Sequence, residues 1–162
     1  MNFLPRTRLR TDESGQALVE FALVIPLLLL VLFAVLDFAK AFNYWIDETH
    51  LANEAARWAV VNNNPGSGTL QQWTLSQADT GELRNGGTAA VPTQAQVCIS
   101  FPTNSQTGTS GQVGDPVTVS VTVGYHWLPF LSGSLGSPSV DVASTATMRL
   151  EALPTNYSAG CS

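Results

Sequence analysis

The chain has 162 residues, only 12% of them charged, with seven Lys and Arg against twelve Asp and Glu for a formal net charge of −5. Three cations, Arg6, Arg8 and Arg10, crowd the N-terminus and the rest are scattered, so a nucleic-acid surface, which needs concentrated positive charge, is excluded. No glycine-rich phosphate loop, nucleophile elbow or HExxH pattern occurs, and the sequence offers no catalytic, cofactor-binding or metal-binding constellation and no evident small-molecule substrate.

Residues 1–15 form a short basic segment ahead of an apolar run. From Phe21 to Leu36 no residue is charged. Counted from Ala17 the run gives about 30 Å of helix, enough to cross a hydrocarbon core. The positive-inside rule places residues 1–15 in the cytoplasm and everything beyond Lys40 outside, with Asp37 and Lys40 at the outer boundary. Glu20 interrupts the start of this run. A carboxylate at mid-membrane costs roughly 2.5–3.5 kcal/mol, less near an end, so Glu20 needs either a route to the headgroups or a partner. Pro26 removes one backbone donor and frees the carbonyl of Ala22, which predicts a bend or a weak point.

Three readings of the segment remain open. It is a permanent anchor, a secretory signal peptide cut near Ala39-Lys40-Ala41, or a prepilin-type leader that loses only its hydrophilic part. The run exceeds the usual signal-peptide core, and Glu20, Asp37 and Lys40 fit badly in one.

No breaker follows Pro26 until Asn62-Asn63-Asn64-Pro65-Gly66, so one helix of about 45–48 residues is expected, near 70 Å long. Its transmembrane part covers 16–38 and an amphipathic extension 39–62. In the extension, Phe38, Ala41, Phe42 and Trp45, then Thr49, Ala52, Ala56 and Ala59, form a stripe expected to carry the head. Asp47, Glu48, Asn53, Glu54 and Arg57 are expected largely elsewhere. Phe42, Tyr44 and Trp45 also sit where an interfacial aromatic belt would. His50 with Asp47 and Glu54 suggests a weak metal site, against which a solvated charged face is the plainer reading.

Residues 63–94 read as a polar loop region with at most a helical turn around Leu70–Ala78. Residues 95–162 read as a β-rich head with three alternating runs: Ala95 to Phe101, Val117 to Tyr125, and Val140 to Leu150. The fold class is therefore α+β, a long N-terminal helix packed on a small antiparallel sheet. Cys98 and Cys161 match no metal spacing. If the head is exported they can close a disulfide contributing on the order of 4 kcal/mol; otherwise they are buried thiols. Trp127–Pro138 is an apolar loop that either covers the sheet edge or contacts another protein.

The stretch Gly15-Gln16-Ala17-Leu18-Val19-Glu20-Phe21-Ala22, followed by Pro26 and a leucine run, resembles the N-terminus of the type IV pilin superfamily. It is most similar to the TadE-like pseudopilins of the Tad (tight adherence) pilus apparatus. Asp37-Phe38-Ala39-Lys40, Asn53-Glu54-Ala55-Ala56-Arg57 and Ala146-Thr147-Met148-Arg149 extend the likeness. The resemblance implies a structural, non-enzymatic subunit without cofactors, held in the cytoplasmic membrane with its head outside. It also implies cleavage by a prepilin peptidase between Gly15 and Gln16, and partnership with other pilin-like subunits and the pilus assembly machinery. Glu20 would then meet the new α-amine of a neighbouring subunit and set helix register, with Phe21 and Pro26 in the packed helix. Pilins often begin with an apolar residue where this chain would begin with Gln16, an amine that can be lost by cyclisation. The rival class is an uncleaved single-pass anchor carrying an extracytoplasmic binding module.

Overall fold

The computed structural model describes residues 13–129 and 138–162. Helix α1 spans Glu13–Val60 without a break, Pro26 included. It ends where the asparagine cluster begins. Asn62 adopts a left-handed backbone (φ 52°), its amide bonds to Ala59 O at 3.1 Å and that of Asn63 to Trp58 O at 3.0 Å. This is a Schellman stop, with asparagine in the place glycine usually takes. The Asn62 side chain then holds the tail, accepting from the amides of Thr155 and Asn156, both at 2.8 Å.

The chain divides into two compact units, Met1–Leu36 and Asp37–Ser162. In the first, the described helix turns its large apolar side chains outward, Leu18, Phe21, Leu23 and Leu30 among them. The second is a two-layer α+β unit. Helices α2 (Leu70–Ser76) and α3 (Gly81–Asn85) follow α1, then strands β1 (Gln96–Ser100), β2 (Pro116–His126), β3 (Ser139–Arg149) and β4 (Gly160–Cys161). The strands make one antiparallel sheet of order β3-β2-β1-β4. The α+β expectation holds.

Strand β2 alternates strictly between buried and half-buried positions. Val117, Val119, Val121, Val123 and Tyr125 face the helices, whereas Thr118, Ser120 and Thr122 face away. Cys98 and Cys161 are opposed residues on β1 and β4, with Cα atoms 4.0 Å apart, and are joined by a disulfide. Their neighbours Val97 and Ser162 exchange both backbone hydrogen bonds, so the cysteines occupy the closer, non-hydrogen-bonded kind of pair.

Three features depart from the sequence reading. The region 63–94 holds two helices rather than one turn. Helix α2 opens with a reciprocal capping box between Thr69 and Gln72, and α2 and α3 bury Leu70, Leu75 and Leu83 in the common core. The two-residue β4 lacks enough length to show a period. Most informative is the rotation of α1. Its buried face is Ala41, Tyr44, Glu48, Leu51, Ala52, Ala55, Ala56 and Ala59, so the alanines of the expected stripe are buried, while its aromatics Phe38, Phe42 and Trp45 lie outside at 63%, 51% and 45% exposure. Asp47 and Glu48, expected elsewhere, are buried. Anchors at both ends set this rotation. Asp37 accepts from Tyr125 Oη and, at 2.7 Å, from the Leu128 amide; Val60 O accepts from the Glu151 amide at 3.0 Å.

Candidate functional site

The residues that carry the pilin resemblance sit on the first turns of α1. Gln16 and Glu20 are one turn apart, and Gln16 Nε2 donates to Glu20 Oε1 at 3.1 Å. Glu20 therefore has a polar partner within its own chain, which softens the penalty for a carboxylate beside apolar side chains. Phe21 is exposed. A Cβ added at Gly15 would meet no atom within 4 Å, so nothing in the folding of this helix demands glycine there. Pro26 is accommodated within the helix. The helix is long and apolar enough to cross a membrane, with a mean hydropathy of 2.9 in its apolar window and none of that window buried. Residues 1–12, with Arg6, Arg8 and Arg10, lie outside the described residues.

A polar belt surrounds α1 where the second unit begins. Lys40 Nζ contacts Glu82 Oε1 at 2.9 Å, and Tyr44 Oη donates to the other oxygen of Glu82. Tyr125, buried and hydrogen-bonded to Asp37 beside that carboxylate, is held well above the usual phenol range. One turn further, Asp47 accepts from the amides of Asp79 and Thr80 at 3.1 and 3.2 Å, tying the α2–α3 connection to α1. These bonds decide the metal suggestion at His50. Its Nδ1 lies 3.9 Å from Glu54 Oε2, but Asp47 points into the head, so the three do not converge.

Glu48 is fully buried, and among the described residues neither carboxylate oxygen has a hydrogen-bond partner of ordinary geometry. Burial pushes its pKa up to about 9, helped by the neighbouring Asp47 and weakly opposed by the Val123 backbone. At neutral pH it is a protonated acid inside the core. Sequence reading missed it because acidic residues are seldom fully buried. The available signal was its i, i+3 and i+7 relation to Leu51 and Ala55 on the Tyr44 side of the helix.

Asp115, also buried, behaves in the opposite way. Burial would raise the Asp115 pKa, but hydrogen bonds outweigh it and hold it low. Asn104 Nδ2 and Thr109 Oγ1 donate to it at 3.0 and 2.9 Å, and the Gln112 amide at 3.0 Å. Every partner is a donor, so Asp115 organises the 101–115 loop and leaves no acceptor set for a cation.

Beside the head's core, the outward aromatics form a shallow apolar groove. Phe38, Phe42 and Trp45 from α1 face Trp127, Val142 and Ala143, with the Phe38 and Trp127 rings stacked at 6.3 Å. Of the aromatic belt, Phe42 and Trp45 are exposed and Tyr44 is buried. The loop expected over Trp127–Pro138 falls largely on residues 130–137, which lie outside the described residues; its ends meet through the Trp127 amide and Pro138 O at 3.0 Å.

Comparison with known proteins bears on the N-terminal helix. The family model described as TadE-like protein matches residues 15–57, from Gly15 to Arg57. No curated protein and no solved structure matches the chain.

Proposed function

We propose that this chain, TadE-like over its N-terminal helix, is a structural and assembly subunit of a Tad-type adhesive pilus. It is anchored by one pass through the cytoplasmic membrane and cut after Gly15 by a prepilin peptidase. The observation that carries the reading is Gly15 and Glu20 at the mouth of an outward-apolar helix, within the span matched by the TadE-like family. Two features support the orientation. Arg6, Arg8 and Arg10 precede the span, and the Cys98–Cys161 disulfide belongs to an oxidising compartment. The role is architectural, with no catalytic group assigned, and the partners are the peptidase, pilin-like subunits and the assembly machinery.

In this scheme cleavage creates an α-amine at Gln16, one turn from Glu20. In a bundle of parallel helices that amine meets Glu20 of an adjacent subunit. A desolvated pair need not stabilise the bundle much, but an unpaired carboxylate disfavours other registers.

The deciding experiment is sequencing of the mature N-terminus from native membranes. The expected first residue is Gln16, free or modified; Met1 would favour an uncleaved anchored module, and a start after Ala41 a secreted one. Because Gly15 has open space around it, Gly15→Val leaves the helix intact and should abolish cleavage, retaining about 1.8 kDa of leader on a chain that still spans the membrane. Unchanged processing would remove the assigned site. Glu20→Leu should insert and be processed normally yet reduce piliation at least about tenfold, the scale of one lost 1.4 kcal/mol interaction. Normal pilus counts would dismiss the register role.

A further inference from the structure

We propose that the outer edge of β3 is a strand-addition site that takes an extended segment of a different exported polypeptide. The register defines this edge. Val97 and Ser162 are bonded to each other, so Gln96, Cys98 and Ser100 turn their backbone groups to Thr122, Ser120 and Thr118 on β2. The odd-numbered residues of β2 then face β3, where their partners are Val140, Val142, Ser144, Ala146 and Met148. Two flanking bonds, Leu150 N to Asp115 O and Trp127 N to Pro138 O, follow the same parity. Asp141, Ala143, Thr145, Thr147 and Arg149 are left pointing their N–H and C=O groups away from the sheet.

Natural sheets blunt such an edge with proline, lysine, a bulge or brevity. This one is an eleven-residue strand in unbroken register with no proline, lysine or bulge; its two charges, Asp141 and Arg149, lie towards its ends, and among the described residues no strand pairs with its outer side. Its other margin, by contrast, ends in the two-residue β4. The chemistry that satisfies a row of alternating donors and acceptors is another extended backbone; lipid tails would leave every group unpaired. Beside the edge, the groove of Phe42, Trp45, Trp127 and Val142 offers apolar contact to alternate side chains of an added strand.

Charge and direction select the partner. The edge carries Asp141 near its start and Arg149 at its end. Two copies pairing antiparallel would match Asp141 with Arg149. However, α1 runs alongside β3 in the same direction, Asp37 lying by Tyr125, the partner of Val140, while Thr49 reaches Ser144 at 2.9 Å and Val60 reaches Glu151. Antiparallel pairing would put the two Asp37 ends, where the anchors join, at opposite ends of the joint sheet. Parallel pairing of two copies sets Asp141 near Asp141 and Arg149 near Arg149, which is repulsive. Neither arrangement suits copies anchored in one bilayer, a step that rests on the proposed anchoring. The occupant is therefore a different chain, with a cation opposite Asp141, a carboxylate opposite Arg149, and apolar residues towards the groove.

The test places a photoreactive benzoylphenylalanine at Thr147 of the full-length protein in its native membrane. The expected product is one discrete adduct with another polypeptide, mapped to an extended segment. Ala143→Pro should reduce its yield at least about tenfold, since this proline removes only an outward N–H. Thr145→Lys, which leaves the backbone alone, should do the same by charging the edge. Retained amide protection at Val119 and Val121 checks folding. Self-adducts alone, no adduct, or an adduct indifferent to both variants would overturn the proposal. The mature N-terminus, read in parallel, separates the two readings. A heterotypic adduct on a chain starting at Met1 would sink the processing and keep the edge; a chain starting at Gln16 without one would sink only the edge.

Discussion

The purified protein is expected to lose stability as pH rises from about 5 towards 9, and Glu48→Gln is expected to abolish most of that loss. Burial pushes the pKa of Glu48 up to about 9 in the folded protein, against 4.5 for the free side chain. Below the lower value both states hold the proton and stability is intact. Between the two the unfolded chain ionises while the folded one stays protonated. The unfolded state is therefore favoured by up to about 1.4 kcal/mol per pH unit until the folded acid itself titrates. Water entry and repacking on ionisation reduce the total, which we place on the order of 2–4 kcal/mol. Glutamine keeps the shape and has no proton to lose, so the variant should match wild type near pH 5 and exceed it above pH 7. Urea unfolding of the full chain in mild detergent, followed by the fluorescence of Trp58 and Trp73, gives the comparison. A wild-type midpoint that stays flat from pH 5 to 9 would mean that Glu48 is not a buried protonated acid.

The second large effect belongs to the disulfide. Replacing both Cys98 and Cys161 with serine should destabilise the head by roughly 2–4 kcal/mol, because the bond closes a loop across a sequence separation of 63. The local consequence is as diagnostic as the magnitude. Strand β4 has only two residues, and its approach is otherwise held by Gln71 Nε2, which donates to Ser158 O at 3.0 Å and Gly160 O at 3.2 Å. Without the bond, amide exchange at Val97 and Ser162 should accelerate well before that of β2. Mass analysis without reductant comes first: two free thiols in protein taken from native membranes would cancel the expected loss.

Legibility followed the physical range of each signal. The helix was readable because its apolar run, missing breakers and asparagine stop are all local, and the β2 and β3 periods are long enough to count. The groove-side aromatics misled because size alone suggests core. What turned α1 was a set of contacts distant in sequence, Asp37 with Tyr125 and Leu128, and Asp47 with Asp79 and Thr80. No window over the helix contains them. Helix α3 has five residues beginning with glycine, and it depends on the same Asp47 cap and on the burial of Leu83. The Gly15, Gln16 and Glu20 cluster stood out in the sequence because a carboxylate beside an apolar run is conspicuous anywhere. Its neighbour on this chain, the Gln16 side chain, is set by the helical turn that brings the two together.

The fastenings at the two ends of α1 also make the head a ruler. Asp37–Val60 rises about 35 Å as helix, and the stretch from Val140 to Glu151 covers about 36 Å when extended. Both are pinned at matching points. One residue inserted into either would swing a helix face by about 100° or flip every later strand side chain. A change in length that spares this caliper has to fall outside the two pinned spans, in a connection such as the 101–115 turn-rich loop.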